Sequence, residues 1–200
     1  MSTPGITVKA STTLYGGSFA NIFYDDVRIP RENIVGPLNG GWKVLTDALA
    51  NERGTVGGGI VLKVAHAFEQ LRGHVMATVG DRPPPGQDPV VRDKMVTLAC
   101  EIEVGRQLMM HCAELAADGV TPPQYGAISK VYSGELMERF GEAALDILGM
   151  SAAVSEQMPG PIDNGRFEQN LRHSLMWVIS IGTNEIQRSL IAQRGLGLPR

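Results

Sequence analysis

Cysteine is scarce in this chain, with two in 200 residues, which excludes the disulfide framework that staples small secreted domains. Cys100 and Cys112 fall twelve residues apart on one expected helix. At about 1.5 Å of rise per residue they are roughly 18 Å apart, too far to pair with each other. They are expected to be small buried apolar residues in a reducing compartment. Aromatic residues make up only 6%, so any core must be built mainly from aliphatic side chains. Neither sign of charge dominates. Lys and Arg number 18 against 21 Asp and Glu, a net of -3, which excludes the electrostatic footprint of a nucleic-acid binder. No run reaches the ~18 apolar residues that a membrane span requires. The first residues lack a basic-then-apolar signal pattern, and a cytoplasmic location is the default expectation. Histidine is also sparse. His111-Cys112-Ala113-Glu114 hints at a metal ligand set, but none of His66, His74, His111 or His173 completes the two inward Glu-x-x-His pairs of a di-iron bundle, so no metal site is expected.

What is present is helical periodicity. Residues 4–35 read as extended: Ile6 and Val8 alternate with polar neighbours, Gly16-Gly17 punctuates, and Phe19 to Val27 is rich in strand formers. So few strands cannot close a sheet and leave edges that a partner must cover. From Gly41 to Leu71, apolar residues recur at Val44, Leu45, Ala48, Leu49, Val56, Ile60, Val64, Ala67, Phe68 and Leu71, a long helix facing a core. Gly57-Gly58-Gly59 follows no strand, so it is no phosphate loop; close helix packing or a local weak point is the expectation. The loop Gly80 to Gln87 ends this helix. Asp88 then caps a second one, with Pro89 at its first position. Val91, Met95, Leu98, Ile102, Gly105, Met109 and Cys112 follow at alternating steps of four and three, the period of antiparallel bundle packing. A third helix is expected over about 124–148 on Ile128, Val131, Phe140, Ala144 and Ile147, and a fourth from Phe167 to about Arg194. The fold is therefore expected to be mainly α, an antiparallel four-helix bundle preceded by a short β segment.

Two places carry candidate chemistry. Glu52 lies on the apolar stripe of the first helix, between Leu49 and Val56, where a carboxylate would be poorly solvated and its affinity for a proton raised, as a base working near neutrality requires. The bland alternative pairs Glu52 with Arg53 or another cation, or points it outward at the stripe edge. The second place is Gly182-Thr183-Asn184-Glu185-Ile186-Gln187-Arg188, where a Gly-Thr break and a fresh cap interrupt the fourth helix. Backbone amides left free there suit an anionic ligand.

Arg172 to Arg188 resembles the C-terminal signature of flavin-dependent acyl-CoA dehydrogenases, laid without a gap on the segment that carries their flavin-contacting Gly-Thr. Phe23-Tyr24-Asp25-Asp26-Val27-Arg28-Ile29-Pro30, then Asn33 to Gly36, then Asn39-Gly40-Gly41-Trp42, resembles the family's passage from β-domain to helical domain. Bacterial fatty-acid and steroid side-chain enzymes of the family are similar. The likeness covers the whole chain but only about the C-terminal half of the usual family member. A fragment, a split-gene product and a reduced relative all fit. It implies that residues 1–38 are the last strands of a truncated β-domain and 39–200 the C-terminal helical bundle.

The resemblance also implies chemistry: FAD-dependent α,β-dehydrogenation of an acyl-CoA thioester. In many members the base is a glutamate directly before the Gly-Thr, a position held here by Ile181. A branch resembling isovaleryl-CoA dehydrogenases carries it on the first bundle helix, where Glu52 and Arg53 align. Glu52 is then the implied catalytic base, Arg53 and Gly182 substrate contacts, and Thr183, Glu185 and Gly149 cofactor contacts. Other positions depart from the pattern. Met150 replaces the second glycine of the loop that approaches a neighbouring subunit's flavin nucleotide, and Asp146 replaces its preceding glutamine. The arginine and phenylalanine of the diphosphate site become Thr78 and Asp81, with Arg72 or Arg82 as possible replacements. Trp177 and Met176 sit where the family has flavin- or acyl-proximal side chains, though large apolar residues at a seam are usually core. The implied partners are an acyl-CoA substrate, electron-transfer flavoprotein or a similar acceptor, and a homo- or hetero-oligomer of acyl-CoA dehydrogenase chains. The alternative function is a noncatalytic interaction subunit that completes a partner's flavin site, and a purely structural bundle is a third.

Overall fold

The computed structural model describes residues 3–78, 83–120, 122–155 and 162–199; the side chains of residues 50, 51 and 53–55 fall outside the description. The chain divides into two units, Met1–Ala48 and Leu49–Arg200.

In the first unit, strands β1 (Ile6–Thr12) and β2 (Ser18–Tyr24) pair antiparallel, with Ile6 opposite Tyr24 and Thr12 opposite Ser18. The turn closes with Thr13 N donating to the Gly17 carbonyl at 2.9 Å, and Gly16 takes a φ of 86° that suits glycine. Alternation puts Ile6, Val8, Ile22 and Tyr24 on one face and Phe19 and Phe23 on the other. Val8, Phe19, Ile22, Phe23 and Tyr24 are all exposed. An isolated two-stranded hairpin is marginal in water, and this one exposes apolar side chains on both faces.

Helix α1 spans Gly41–Met76, α2 Pro89–Ala117, α3 Pro123–Leu148, α4 Arg166–Ile179 and α5 Asn184–Leu190, with a π-helical turn at Ile191–Gly195. The expected fourth helix is thus two helices, α4 and α5, meeting at the Gly-Thr break. The cap of α2 forms as expected: Val90 N donates to Asp88 Oδ1 at 2.8 Å, with Pro89 next to it.

Unit Leu49–Arg200 has one core. Ile60, Val64, Ala67, Leu71 and Val75 of α1 meet Met95, Leu98 and Ile102 of α2, Leu136, Met137, Phe140 and Ala144 of α3, and Phe167 of α4. The α2 stripe is buried from Met95 to Gly105 as its spacing requires. Cys100 is different. It lies opposite the stripe and is exposed, not buried; Cys112 is half-buried, and burial pushes its thiol up. On α3 the buried set includes Ser129, Lys130, Ser133 and Gly134, while Ile128, Val131 and Ile147 are only half-buried. This helix packs on α2, α4 and α5 together, so its buried surface wraps around the axis and follows no single stripe.

Glycines mark where helices approach closely. A Cβ on Gly57 would stand 2.3 Å from Ser129 Oγ and 3.0 Å from the Ser129 carbonyl carbon, whereas one on Gly59 meets nothing within 4 Å. The triple glycine is therefore a helix contact in part. Gly57→Ala is expected to destabilise the chain by about 1–3 kcal/mol through overpacking, and Gly59→Ala to stabilise it by up to about 1 kcal/mol through helix propensity. Paired urea denaturation curves check both; equal midpoints for the two variants would remove the packing explanation.

Candidate functional site

The break between α4 and α5 is held by an extensive set of hydrogen bonds. Ser180 leaves the helix in an extended conformation, its N–H still donating to the Met176 carbonyl at 2.8 Å. Ile181 and Gly182 then take φ values of 60° and 86°. The second is natural for glycine. The first is not for a branched side chain, and strain of this kind costs about 1–3 kcal/mol and persists only where surrounding contacts over-determine the backbone. Thr183 returns to extended geometry and caps α5, its Oγ1 accepting from Ile186 N at 3.4 Å.

The over-determining contacts come from buried polar side chains. Gln187, 0% exposed, donates through Nε2 to the carbonyls of Ile181 at 2.9 Å and Gly182 at 3.3 Å. Lys130, also 0% exposed, donates to the Val178 carbonyl at 3.3 Å and to Asn184 Oδ1 at 2.8 Å. Asn184 Nδ2 donates to Glu135 Oε1 at 3.0 Å, and the Arg188 guanidinium donates to the same carboxylate. Burial pushes the Lys130 ammonium down from its ordinary range, against the opposing pull of Glu185 and Glu135. Glu185 is held below the usual carboxylate range by its own backbone N–H and by the Thr183 hydroxyl, with Arg188 and Lys130 adding to the effect. None of Lys130, Glu135, Asn184, Gln187 and Arg188 was singled out by periodicity. Asn184, Gln187 and Arg188 fall within the segment that the Gly-Thr break marks, whereas Lys130 and Glu135, on another helix, carry no local signal.

The expected site residues divide among three elements. Gly182, Thr183 and Glu185 share the break. Gly149 ends α3 with φ 69° and ψ -157°, a combination essentially open only to glycine, and a Cβ there would meet nothing within 4 Å. Met150 beside it projects outward at 85% exposure. Glu52 lies on α1 and is exposed, so the poorly solvated setting expected for it is not supplied by this chain's own packing. Among the described side chains of α1, its neighbours Leu49 and Val56 are only half-buried, and fully buried ones are found from Gly57 on. Arg53 is on the same helix, with its side chain outside the description. Trp177 and Met176 are half-buried; Trp177 packs against the core with Lys63 over its ring at 5.2 Å. Of the residues aligned with a diphosphate site, Thr78 is exposed and neutral, Asp81 and Arg82 lie outside the described residues, and Arg72 pairs with Glu69 at 2.7 Å. Among the described residues, no cluster of His, Cys, Asp or Glu could hold a metal and no helix is long and apolar enough to cross a membrane.

Residues 39–196 match the family described as acyl-CoA dehydrogenase, C-terminal domain. The chain belongs to the acyl-CoA dehydrogenase family. The acyl-CoA dehydrogenase IpdE1 of Mycolicibacterium smegmatis is 31% identical over 201 residues, covering 98% of this chain and 47% of that protein. FadE26 of Mycobacterium tuberculosis, also named an acyl-CoA dehydrogenase, is 29% identical over 196 residues, with 94% and 48% covered. The chain therefore spans about half the length of these family members. Among solved structures, the ChsE4-ChsE5 complex of Mycobacterium tuberculosis aligns with a TM-score of 0.85 at 27% identity, over 100% of this chain and 51% of the matched one. The fold of the steroid ACAD Tcur3481-Tcur3483 aligns with a TM-score of 0.90 over 99% of this chain and 50% of that one, at 24% identity. The helical bundle is thus the family's C-terminal architecture.

The residues fit a flavin in part. At the break, a hydroxyl on Thr183 and a strained, well-braced turn are in place, and Gln187 Oε1 and Ser180 Oγ are buried without hydrogen-bond partners, the kind of orphan that marks a binding region. The diphosphate end fits less well, since the aligned Thr78 offers no charge to a dianion.

Proposed function

We propose that this chain acts in FAD-dependent α,β-dehydrogenation of an acyl-CoA thioester, as one part of a larger cytoplasmic oligomer in which a further polypeptide segment completes the flavin site. Family membership over residues 39–196 carries the reading. Residues 1–38 then serve as the end of a β-domain and 39–200 as the helical bundle. Within that assembly Glu52 removes the α-proton of the substrate. Arg53 and Gly182 contact the acyl-CoA, and Thr183, Glu185 and Gly149 contact the cofactor. Bound FAD supplies the acceptor for the β-hydrogen, leaving as hydride, and the protein supplies positioning. Reduced flavin would pass its electrons to electron-transfer flavoprotein or a similar acceptor.

The exposure of Glu52 supports the composite form of this reading. A carboxylate in water is a weak base, and substrate, cofactor or partner must exclude water from it before it can work near neutrality. The neutral Thr78 and the protruding Met150 point the same way, because a partner has to grip the diphosphate. They also favour a second reading, a noncatalytic subunit retained for assembly. An absorbance spectrum between about 350 and 500 nm separates the two. The chain co-expressed with a segment carrying the other half of the family fold is expected to be yellow and to bleach with an acyl-CoA series. Flavin that binds but never bleaches would favour the assembly subunit, and no flavin in any combination would overturn the enzymatic reading and leave an assembly subunit or a nonfunctional fragment.

A further inference from the structure

The break between α4 and α5 is fastened from below by one buried cation. Lys130 reaches from α3 to both sides of the gap: to the Val178 carbonyl at 3.3 Å, in the last turn of α4, and to Asn184 Oδ1 at 2.8 Å, the first residue of α5. Its side chain is wholly buried, as are those around it on α3 at Ser129 and Ser133. Burying an ammonium costs free energy that hydrogen bonds to neutral acceptors only partly offset. Stability alone is therefore a weak reason for a lysine here. What an apolar replacement cannot do is hold two separate acceptors at fixed positions. The carbonyls at a helix C-terminus have no intrahelical partner, and Lys130 joins one of them to the start of the next helix. The other end of Asn184 is anchored in turn, through Nδ2 to Glu135 Oε1 at 3.0 Å, and Glu135 also receives Arg188.

Between these two anchor points lie Ile179, Ser180, Ile181, Gly182 and Thr183. Gln187 fixes the carbonyls of Ile181 and Gly182 from α5 itself, so it moves with that helix. Of Lys130 and Gln187, Lys130 is the one that ties both helices to a third.

We propose that Lys130 is the positioning residue of the cofactor-facing turn: its ammonium clamps the end of α4 to the start of α5, and so sets where Thr183 is presented to flavin. The part concerning flavin rests on the function proposed above; the clamp itself does not.

The test uses the full chain in the assembly that binds FAD, comparing wild type with Lys130→Met and with Asn184→Ala, which cuts the same contact from the other side and carries the test if the first variant fails to fold. Two readouts are needed. Amide hydrogen exchange over residues 181–186 is expected to quicken at least tenfold in both variants, with exchange in α2 unchanged. The FAD dissociation constant, read by flavin fluorescence, is expected to rise at least tenfold at equal helical content. A lysine that merely stabilised the bundle would speed exchange throughout and leave FAD affinity of the folded fraction as it was. Unchanged exchange at 181–186 would overturn the clamp. Faster exchange with unaltered FAD affinity would overturn the positioning role. If wild type itself binds no FAD, the functional reading falls and takes the flavin part with it, while the exchange data still decide the clamp.

Discussion

Glu52→Gln, made in the assembly that holds FAD, is expected to slow bleaching of the flavin by acyl-CoA by about a hundredfold to ten-thousandfold, the range that a positioned general base contributes. Glutamine preserves the size and polarity of the side chain but cannot take up the α-proton. Because Glu52 is exposed on α1, the change leaves no buried group unpaired, and the melting point is expected to stay within the small range typical of surface substitutions. Flavin content is expected to be unchanged as well. The loss should therefore appear in kcat and kcat/KM together, as it does when an interaction made only in the transition state is removed. Stopped-flow absorbance near 450 nm is the direct measurement. A variant that bleaches at the native rate would take the base away from Glu52 and return the chain to the assembly-subunit reading, since Ile181 cannot fill that role.

The largest expected effect on stability belongs to Phe140→Ala. Phe140 is 1% exposed in the middle of α3, the helix against which α2, α4 and α5 all pack. Removing its ring opens a cavity in the buried cluster that α3 shares with α1, α2 and α4, where collapse from one side pulls against the others. A loss of about 3–5 kcal/mol is expected. Against a total of about 5–15 kcal/mol for a typical domain, that leaves a marginal or unfolded bundle. Urea denaturation followed by far-UV circular dichroism measures it, with the midpoint shifting and the slope preserved. A loss below about 1 kcal/mol would mean that the core around α3 is looser than its burial indicates.

Periodicity served well where a helix faces the core on one side. On α2 the four-three stripe from Met95 to Gly105 and the Asp88-Pro89 start were both legible, because the buried residues of this helix fall along one side of it. It served poorly on α3, where neighbours on several sides bury small and polar residues that no apolar count selects. The location of the break was readable from Gly182-Thr183, which has a local cause. Its bracing was not: the lysine that holds it lies 54 residues earlier than its partner Asn184, and a lone lysine in a sequence reads as a solvated one. Glu52 shows a different limit. A stripe says which side of a helix a residue faces, but not how much lies on that side, and the described α1 side chains on either side of Glu52, Leu49 and Val56, are only half-buried.

The hairpin of β1 and β2 has a consequence for the life of the polypeptide in the cell. Six ladder residues, Ile6, Val8, Phe19, Ile22, Phe23 and Tyr24, put apolar surface on both faces of a two-stranded sheet, and its outer edges offer unpaired backbone groups to any strand that arrives. Whether the covering strands belong to the same polypeptide or another, a copy that has not met them is open to proteases and to self-association. Its steady amount would then follow the supply of whatever covers it rather than its own rate of synthesis.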